Sequence, residues 1–393
     1  DIVIAGAGVG GAACALAFAQ DTDLRILLVE RHGGPGNLNR GENLLPPVTG
    51  LLARWGALDR CRAAGAREVD QMQFFHHRDG LLLDMPLRLA GVADPYLTLP
   101  HPEIERALVE SAKASGRVDM WYDTRVTGLV HGGGRVSGLV LRRSPGVDES
   151  VKCRLVVGAD GAASRVRAAL GIELPRRRYD HSLFGIDVDR PAGLPDVLRT
   201  ELHADGGVLV VPGVERLGLA AVIRREHEHL FQSGTFEERY SHVARRSPLL
   251  AGRRPSPRGM YLYKLWRGHA ARYWRPGAAL IGDSAHVINP VMAQGMTMAI
   301  EDAAALAYHA RPALRASAAA LDAALAAYEA QRRPFNASVI RNSHWLSLLF
   351  SLGGPVGDLL HRCTFRLANS SFGRLAQQWV WSSFATSPQE LHA

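Results

Sequence analysis

Three stretches of this sequence end an apolar run in a glycine turn, each with an acid in or after it, and each could grip a phosphate or a polyol. In the first, Asp1-Ile2-Val3-Ile4-Ala5 runs into Gly6-Ala7-Gly8-Val9-Gly10-Gly11, then the small-residue stretch 12–20, then a second apolar run over 24–29 closed by Glu30. A GxGxxG turn between strand and helix, with an acid ~20 residues on, is the pattern of a dinucleotide-binding βαβ unit. Gly6 permits the tight turn, Gly8 lets a pyrophosphate approach the backbone, and Gly11 lets the helix pack close to the sheet. The N–H groups and positive end of that helix face the phosphates. Glu30 can accept hydrogen bonds from ribose hydroxyls.

The second stretch is Leu155-Val156-Val157-Gly158-Ala159-Asp160-Gly161, with Ser164 opening a helix. It sets the Asp160 carboxylate at the C-terminal end of a strand, where open α/β sheets bind ligands. The same residues also read as a plain turn with a helix cap. The third is Gly277 to His286, followed by Pro290 and Gln294-Gly295-Met296-Thr297. Gly282-Asp283 places a carboxylate against a polyol, and N–H groups near Gly295 and Met296, at a helix start, face developing negative charge. His286 reads as a structural hydrogen-bonding residue behind this motif rather than as an acid or base.

The chain around these motifs is globular in composition. It has 393 residues, 47% hydrophobic and 21% charged, with a formal charge of +8. That charge favours anionic cofactors and substrates in a general way. No basic run with interleaved aromatics points to nucleic acid, and Arg176-Arg177-Arg178 reads as a solvated loop. Cys14, Cys61, Cys153 and Cys363 are widely spaced without a CxxC pair, which suits a reducing cytoplasm and gives no zinc framework. No apolar run reaches membrane-spanning length, and the chain opens on a strand rather than a signal peptide. The pattern predicts helices over 48–58, 102–114, 296–309 and through the Ala-rich 303–330, and hairpins over 71–85 and 121–142. His76 and His77, adjacent on a strand, are expected on opposite faces and so make poor joint metal ligands; no metal is expected.

In this order and at this separation, the three motifs resemble the FAD-dependent class A aromatic hydroxylases, flavoprotein monooxygenases of the p-hydroxybenzoate hydroxylase type. The resemblance spans residues 1–335. It implies an α/β fold: a Rossmann-like FAD-binding domain (1–70, 97–172 and 272–335), an inserted antiparallel-sheet substrate domain (71–96 and 173–271), and C-terminal helices (336–393). It implies that Gly6, Gly8, Gly11, Glu30 and the adjoining Arg31 hold the ADP half of FAD. Arg40 matches an arginine before the helix after the second strand. Val126 falls where backbone atoms lie near the adenine, Asp160 belongs to a motif associated with FAD and NAD(P)H, Gly282 and Asp283 meet the ribityl chain, and Gly295 and Met296 flank the isoalloxazine. The sequence departs from the family at His101, where Arg is usual, at Ala293, where Gly is usual, and at Thr297, where Asn is usual. These changes bear on flavin mobility and on reduction by NAD(P)H. The tryptophan pair of the flavin halogenases is absent from the middle region.

Strands over 182–188, 198–203, 207–211, 217–223 and 259–266 would build the substrate sheet, with Phe75, His203, Val211, Ile223 and Tyr261 as lining candidates. The resemblance implies NAD(P)H- and O2-dependent hydroxylation or epoxidation of an aromatic or polyketide-like natural product, through a flavin C4a-hydroperoxide. The alternative is an FAD oxidoreductase without oxygen insertion, such as an isoprenoid double-bond reductase; a flavin-binding sensor is the remaining, non-enzymatic reading. The segments 344–349, 359–367 and 379–381 are apolar and aromatic. They are expected to cover the substrate pocket, with shallow membrane contact as the lesser reading.

Overall fold

The fold is known from a computed structural model, which describes residues 1–20, 23–36, 43–87, 94–144, 146–250, 252–253, 255, 260–371 and 373. Its first layer is a six-stranded sheet in the order β18 (Trp274–Arg275), β19 (Ala278–Leu280), β12 (Leu155–Gly158), β1 (Ile2–Ala5), β2 (Ile26–Val29), β8 (Val118–Trp121). The pairs from β19 through β8 are parallel, and β18 is antiparallel. All four residues of β1 and of β12 are buried, as continuous apolar runs between two covered faces require. The helix α1 (Val9–Ala19) is buried along nearly its whole circumference. Glycine and alanine suit it to that place, between the sheet and the helices α4 (His101–Ala114) and α8 (Gln294–Ala313).

Two predicted elements are divided. The helix expected over 48–58 is α2 (Pro46–Arg54) and α3 (Leu58–Ala63), because Gly56 takes a φ of +71° between them. In the hairpin expected over 121–142, Trp121 instead closes β8. Asp123, at φ +49°, turns the chain into an antiparallel meander of β9 (Arg125–Gly132), β10 (Arg135–Ser144) and β11 (Val147–Lys152).

The second layer is an eight-stranded sheet: β20 (His286–Val287), β17 (Tyr261–His269), β13 (Arg176–Asp189), β16 (Arg216–Arg224), β15 (Val208–Pro212), β14 (Leu198–Leu202), β5 (Gln71–His76), β6 (Gly80–Pro86). Only β14 and β5 pair in parallel. Alternation divides its faces. Phe184, Ile186, Val188, Val208, Val210 and Ile223 pack outward, in one cluster with Phe231 of α6 (Glu228–Ser233) and Val243 of α7 (Phe236–Ala244). Phe74, Leu198, Leu202 and Val211 pack inward against Phe350 and Phe365, with Val291 beside them. A small sheet, β3 (Asn43–Leu44), β7 (Leu97–Thr98) and β4 (Arg67–Glu68), joins the layers: Thr98 Oγ1 donates to the Pro212 carbonyl at 2.8 Å.

Two helices close the inner side. The 34-residue α9 (Ala318–Ser351) runs through the expected domain boundary at 335–336 without a break. The shorter α10 (Gly354–Ala368) lays Phe365 on Phe74, with ring centroids 4.4 Å apart. It is clasped by the β5–β6 turn. His76 Nε2 lies 2.8 Å from Asp358 Oδ1, Arg78 Nη1 lies 3.9 Å from Asp358 Oδ2, and Asp79 bonds Arg362. The expectation that His76 and His77 diverge is corrected here. The strand ends at His76, so the rings come to 4.4 Å, and donor atoms of His76, His77 and Asp358 lie within 4.8 Å of one another. Among the described residues, no helix is long and apolar enough to cross a membrane.

Candidate active site

The three motif turns lie at the C-terminal ends of β1, β12 and β19, three adjacent strands. In the first, Gly6 has a φ of +98°, and a Cβ there would stand 2.5 Å from the Ala159 carbonyl oxygen. A Cβ on Gly11 would stand 1.9 Å from the Gly6 carbonyl oxygen, so these two glycines serve the packing of strand, turn and helix. Gly8 is different, because nothing lies within 4 Å of its Cβ position. The space is open at the helix start, where a phosphate would sit. Glu30 takes the Ala7 N–H at 3.0 Å and the His32 N–H at 3.1 Å, which sets its carboxylate at the lip of the turn. Arg31 is exposed beside it, and Arg40 lies outside the described residues.

The second turn is held by its own helix. Asp160 accepts N–H groups from Arg165 at 2.6 Å and Val166 at 3.1 Å, and Ser164 caps the same helix, α5 (Arg165–Ala169). Asp160 therefore fixes the turn. Val126 is buried in β9, and its carbonyl faces Arg165 Nη1 at 3.5 Å. Arg167 reaches across to the Ser284 carbonyl at 2.9 Å, which ties the second turn to the third.

In the third turn Gly282 has a φ of +58° and the Asp283 side chain is exposed. Beneath it lies a buried ionic network that the sequence reading did not find. Asp302 Oδ2 accepts the Gly282 N–H at 3.1 Å and meets His286 Nε2 at 2.6 Å; its Oδ1 meets Arg332 Nε and Asn336 Nδ2, each at 2.9 Å. Arg332 Nη2 binds Glu301 at 2.9 Å, and Asn336 reaches the Tyr273 hydroxyl at 3.2 Å. Burial alone would raise the Asp302 carboxyl, but His286, Arg332 and Asn336 hold it well below the usual carboxylate range. His286 is thus a structural partner of Asp302. The sequence signal was the adjacent Glu301-Asp302 pair inside an otherwise apolar helix, where unpaired acids are costly.

Asn289 caps the turn 290–292 through the Val291 N–H at 3.0 Å, and Ala293 then takes a left-handed φ of +53° before α8 begins. Gly295 and Met296 occupy the first turn of α8, so its unpaired N–H groups face the space between the layers. Two buried polar atoms there, Thr297 Oγ1 on α8 and Asn43 Oδ1 on the neighbouring β3, have no hydrogen-bond partner among the described residues. A flat ring with polar edges suits both, and the open space at Gly8 suits its phosphates. The residues present fit FAD.

The inward face of the large sheet, on which Val291 packs, borders an open cleft. Leu183, Asp187, Leu209, Gly218, Ala220 and Tyr261 face inward at the centre of the large sheet, yet are half-exposed, while the outward residues between them are buried. One row reads Tyr261, Gly185, Ala220, Leu209, Thr200, Phe74; the next reads Asp187, Gly218, Val211. Tyr261 lies over Gly185, where a Cβ would be 2.1 Å from its ring. Val211 and Tyr261 lie on the inward face, Val211 buried in the cluster with Phe350 and Phe365 and Tyr261 half-exposed. Two other expectations are corrected by the register. Ile223 belongs to the outward cluster, and Phe75 pairs with Glu201 on the outward face, where Arg199 covers its ring at 3.6 Å. His203 follows β14 at the end of the sheet remote from Pro212, its ring centroid 4.6 Å from that of His77 and tilted to it. The segment 379–381 lies outside the described residues.

The FAD binding domain family matches residues 1–343. In sequence the chain is similar to the 6-methylpretetramide 4-monooxygenase of Streptomyces rimosus, 30% identical over 320 residues, covering 78% of this chain and 73% of that protein. It is also similar to the mitochondrial ubiquinone biosynthesis monooxygenase of Homo sapiens, 25% identical, covering 94% of this chain and 89% of that one. In structure it is similar to PqsL, a probable FAD-dependent monooxygenase from Pseudomonas aeruginosa, with a TM-score of 0.77 at 25% identity, over 89% of this chain and 96% of that one. The p-nitrophenol 4-monooxygenase PnpA of Pseudomonas putida shares the fold, with a TM-score of 0.83 at 18% identity over 98% and 97% of the two chains. The chain belongs to the FAD binding domain family.

Proposed function

We propose that the protein is an FAD-dependent monooxygenase that places one oxygen atom of O2 on an aromatic or polyketide-like ring, with NAD(P)H as the electron donor. The observation that carries this reading is the half-exposed, small-residue floor of the large sheet facing the N-terminal turn of α8. A flat cofactor ring and a flat substrate fit between them. When bound, FAD supplies the electron storage and the activation of O2 that no side chain here supplies.

The chain's own residues do the rest. The backbone at Gly8 and the Glu30 carboxylate hold the ADP half, Asp283 meets the ribityl hydroxyls, and the N–H groups of Gly295 and Met296 face the ring edge. Val211, Leu209, Ala220 and Tyr261 hold an apolar substrate flat, within reach of that edge. Phe350 of α9 and Phe365 of α10 are buried on the same face and keep water from that side. His286 is committed to Asp302, so no side chain of the third motif is assigned as an acid or base.

The test is turnover of a polycyclic phenol by the FAD-loaded protein with NAD(P)H under isotopically heavy O2. One heavy oxygen atom in the product supports the reading. A product reduced at a double bond and free of label would refute it in favour of the reductase, which no observation above favours.

A further inference from the structure

We propose that Asp187 sets substrate choice in the cleft: its carboxylate accepts a hydrogen bond from a hydroxyl of a neutral polycyclic phenol and excludes aromatic carboxylates. This rests on the functional reading above and narrows it to a substrate class.

The backbone fixes where Asp187 points. Phe184, Ile186 and Val188 of β13 are buried in the outward cluster. The residues between them, Gly185 and Asp187, therefore face the cleft. Asp187 stands directly opposite Gly218 on β16, and Gly218 stands opposite Val211 on β15. Cross-strand neighbours on one face ordinarily fill each other's space. Here the neighbour has no side chain, and in the next row Ala220 is small while the Tyr261 ring lies over Gly185. The carboxylate consequently borders a shallow hollow over Gly218, with the Tyr261 ring beside it.

Among the described residues, no hydrogen bond or ion pair reaches the Asp187 carboxylate. The nearby Arg216 guanidinium is occupied otherwise, donating to the Asp187 backbone carbonyl at 2.9 Å and to the Asp189 carboxylate at 2.7 Å. Burial raises the Asp187 carboxyl above its ordinary value, with Arg216 only partly offsetting this. A half-buried acceptor of this kind gains from any donor brought against it.

The charges along the floor point the same way. On the cleft face of β16, arginines stand only at the ends, Arg216 paired to Asp189 and Arg224 to Glu226 at 3.2 Å. Between them the face presents Gly218, Ala220 and Val222. Among the described residues of this floor no unpaired cation stands beside Asp187, so a carboxylate laid there would meet a like charge, which is strongly unfavourable away from water. A phenol meets an acceptor instead.

The experiment titrates the FAD-loaded protein with naphthol and with naphthoate, reading the change in flavin absorption. The wild type is expected to bind naphthol at least tenfold more tightly than naphthoate. Asp187→Asn, which keeps shape and polarity but removes the charge, is expected to bring that ratio within threefold. Asp187→Leu is expected to weaken naphthol tenfold with flavin content unchanged. Equal affinity of the wild type for the two probes, absence of naphthol binding included, overturns the proposal, as does a ratio untouched by Asp187→Asn. Failure of the underlying function is seen separately, as a wild-type protein that takes up no FAD or oxidises NAD(P)H without using O2.

Discussion

Replacing Arg332 with methionine removes the guanidinium that touches both Asp302 and Glu301. All three side chains are fully buried, and the two contacts are each 2.9 Å. Methionine roughly keeps the volume of the stem, so the change is chiefly one of charge. Removing one partner from a buried ion pair costs about 3–5 kcal/mol, because the remaining charge is stranded away from water. Part of that loss should pass to the cofactor site, since Asp302 also holds the Gly282 N–H at 3.1 Å. If that hydrogen bond loosens, the turn at Gly282 moves and FAD binding is expected to weaken about tenfold, or about 1.4 kcal/mol. The assays are urea denaturation followed by circular dichroism, and flavin release followed by fluorescence. A pH series adds a signature. Stranded carboxylates gain by taking up a proton, so the penalty of Arg332→Met shrinks as pH falls from about 7 to about 5. A penalty under about 1 kcal/mol, or one that does not shrink in acid, refutes the argument.

Gly8→Val and Gly11→Ala separate ligand space from packing space. The first leaves unfolding unchanged and abolishes FAD uptake, because its Cβ direction is empty. The second destabilises the apo-protein, because its Cβ would meet the Gly6 carbonyl oxygen at 1.9 Å. Calorimetry of the apo-proteins and flavin titration read the two effects, and equal behaviour of the two variants contradicts the assignment. Burial holds the His181 imidazole down to about 4, against an ordinary 6.5, while it bonds Ser347 at 2.9 Å. The unfolded chain binds that proton first, so the stability owed to neutral His181 is complete above 6.5 and is lost as pH falls towards 4. By about pH 5 the loss is about 2 kcal/mol. His181→Gln should lose correspondingly less between about pH 7 and about pH 5 in chemical denaturation, and a parallel decline of the two proteins would contradict this.

The parallel layer was legible because its local chemistry is redundant. Gly6, Gly8, Gly11 and Glu30 state one turn four times over, and the apolar runs of β1, β12 and β19 bracket all three motifs. The large sheet was legible as strands but less so as faces. Phe75 and Ile223 are as apolar as Val211, and only the register with Glu201 and the outward cluster shows that they point away. That register is set by pairings between distant strands, which alternation within one strand does not encode. The Asp302 network was hidden for a related reason. Arg332 lies 30 residues from Asp302 in sequence, on another helix, and a sequence window sees an arginine in a polar stretch rather than the cation of a buried pair. The clasp of His76 on Asp358 spans 282 positions and was invisible on the same ground.

The unbroken helix α9 has a mechanical consequence. At 1.5 Å per residue it is a rod roughly 50 Å long. Near one end Tyr328 is bolted to the Leu280 carbonyl at 2.9 Å, and near the other Ser347 is bolted to His181 of the large sheet. Its weak point is Pro334, which lacks an N–H, and that residue lies between Arg332 and Asn336, both pinned to Asp302. The two layers are therefore braced by one rod, and any tilt of one layer on the other would have to bend α9 at that proline or break one of these bonds.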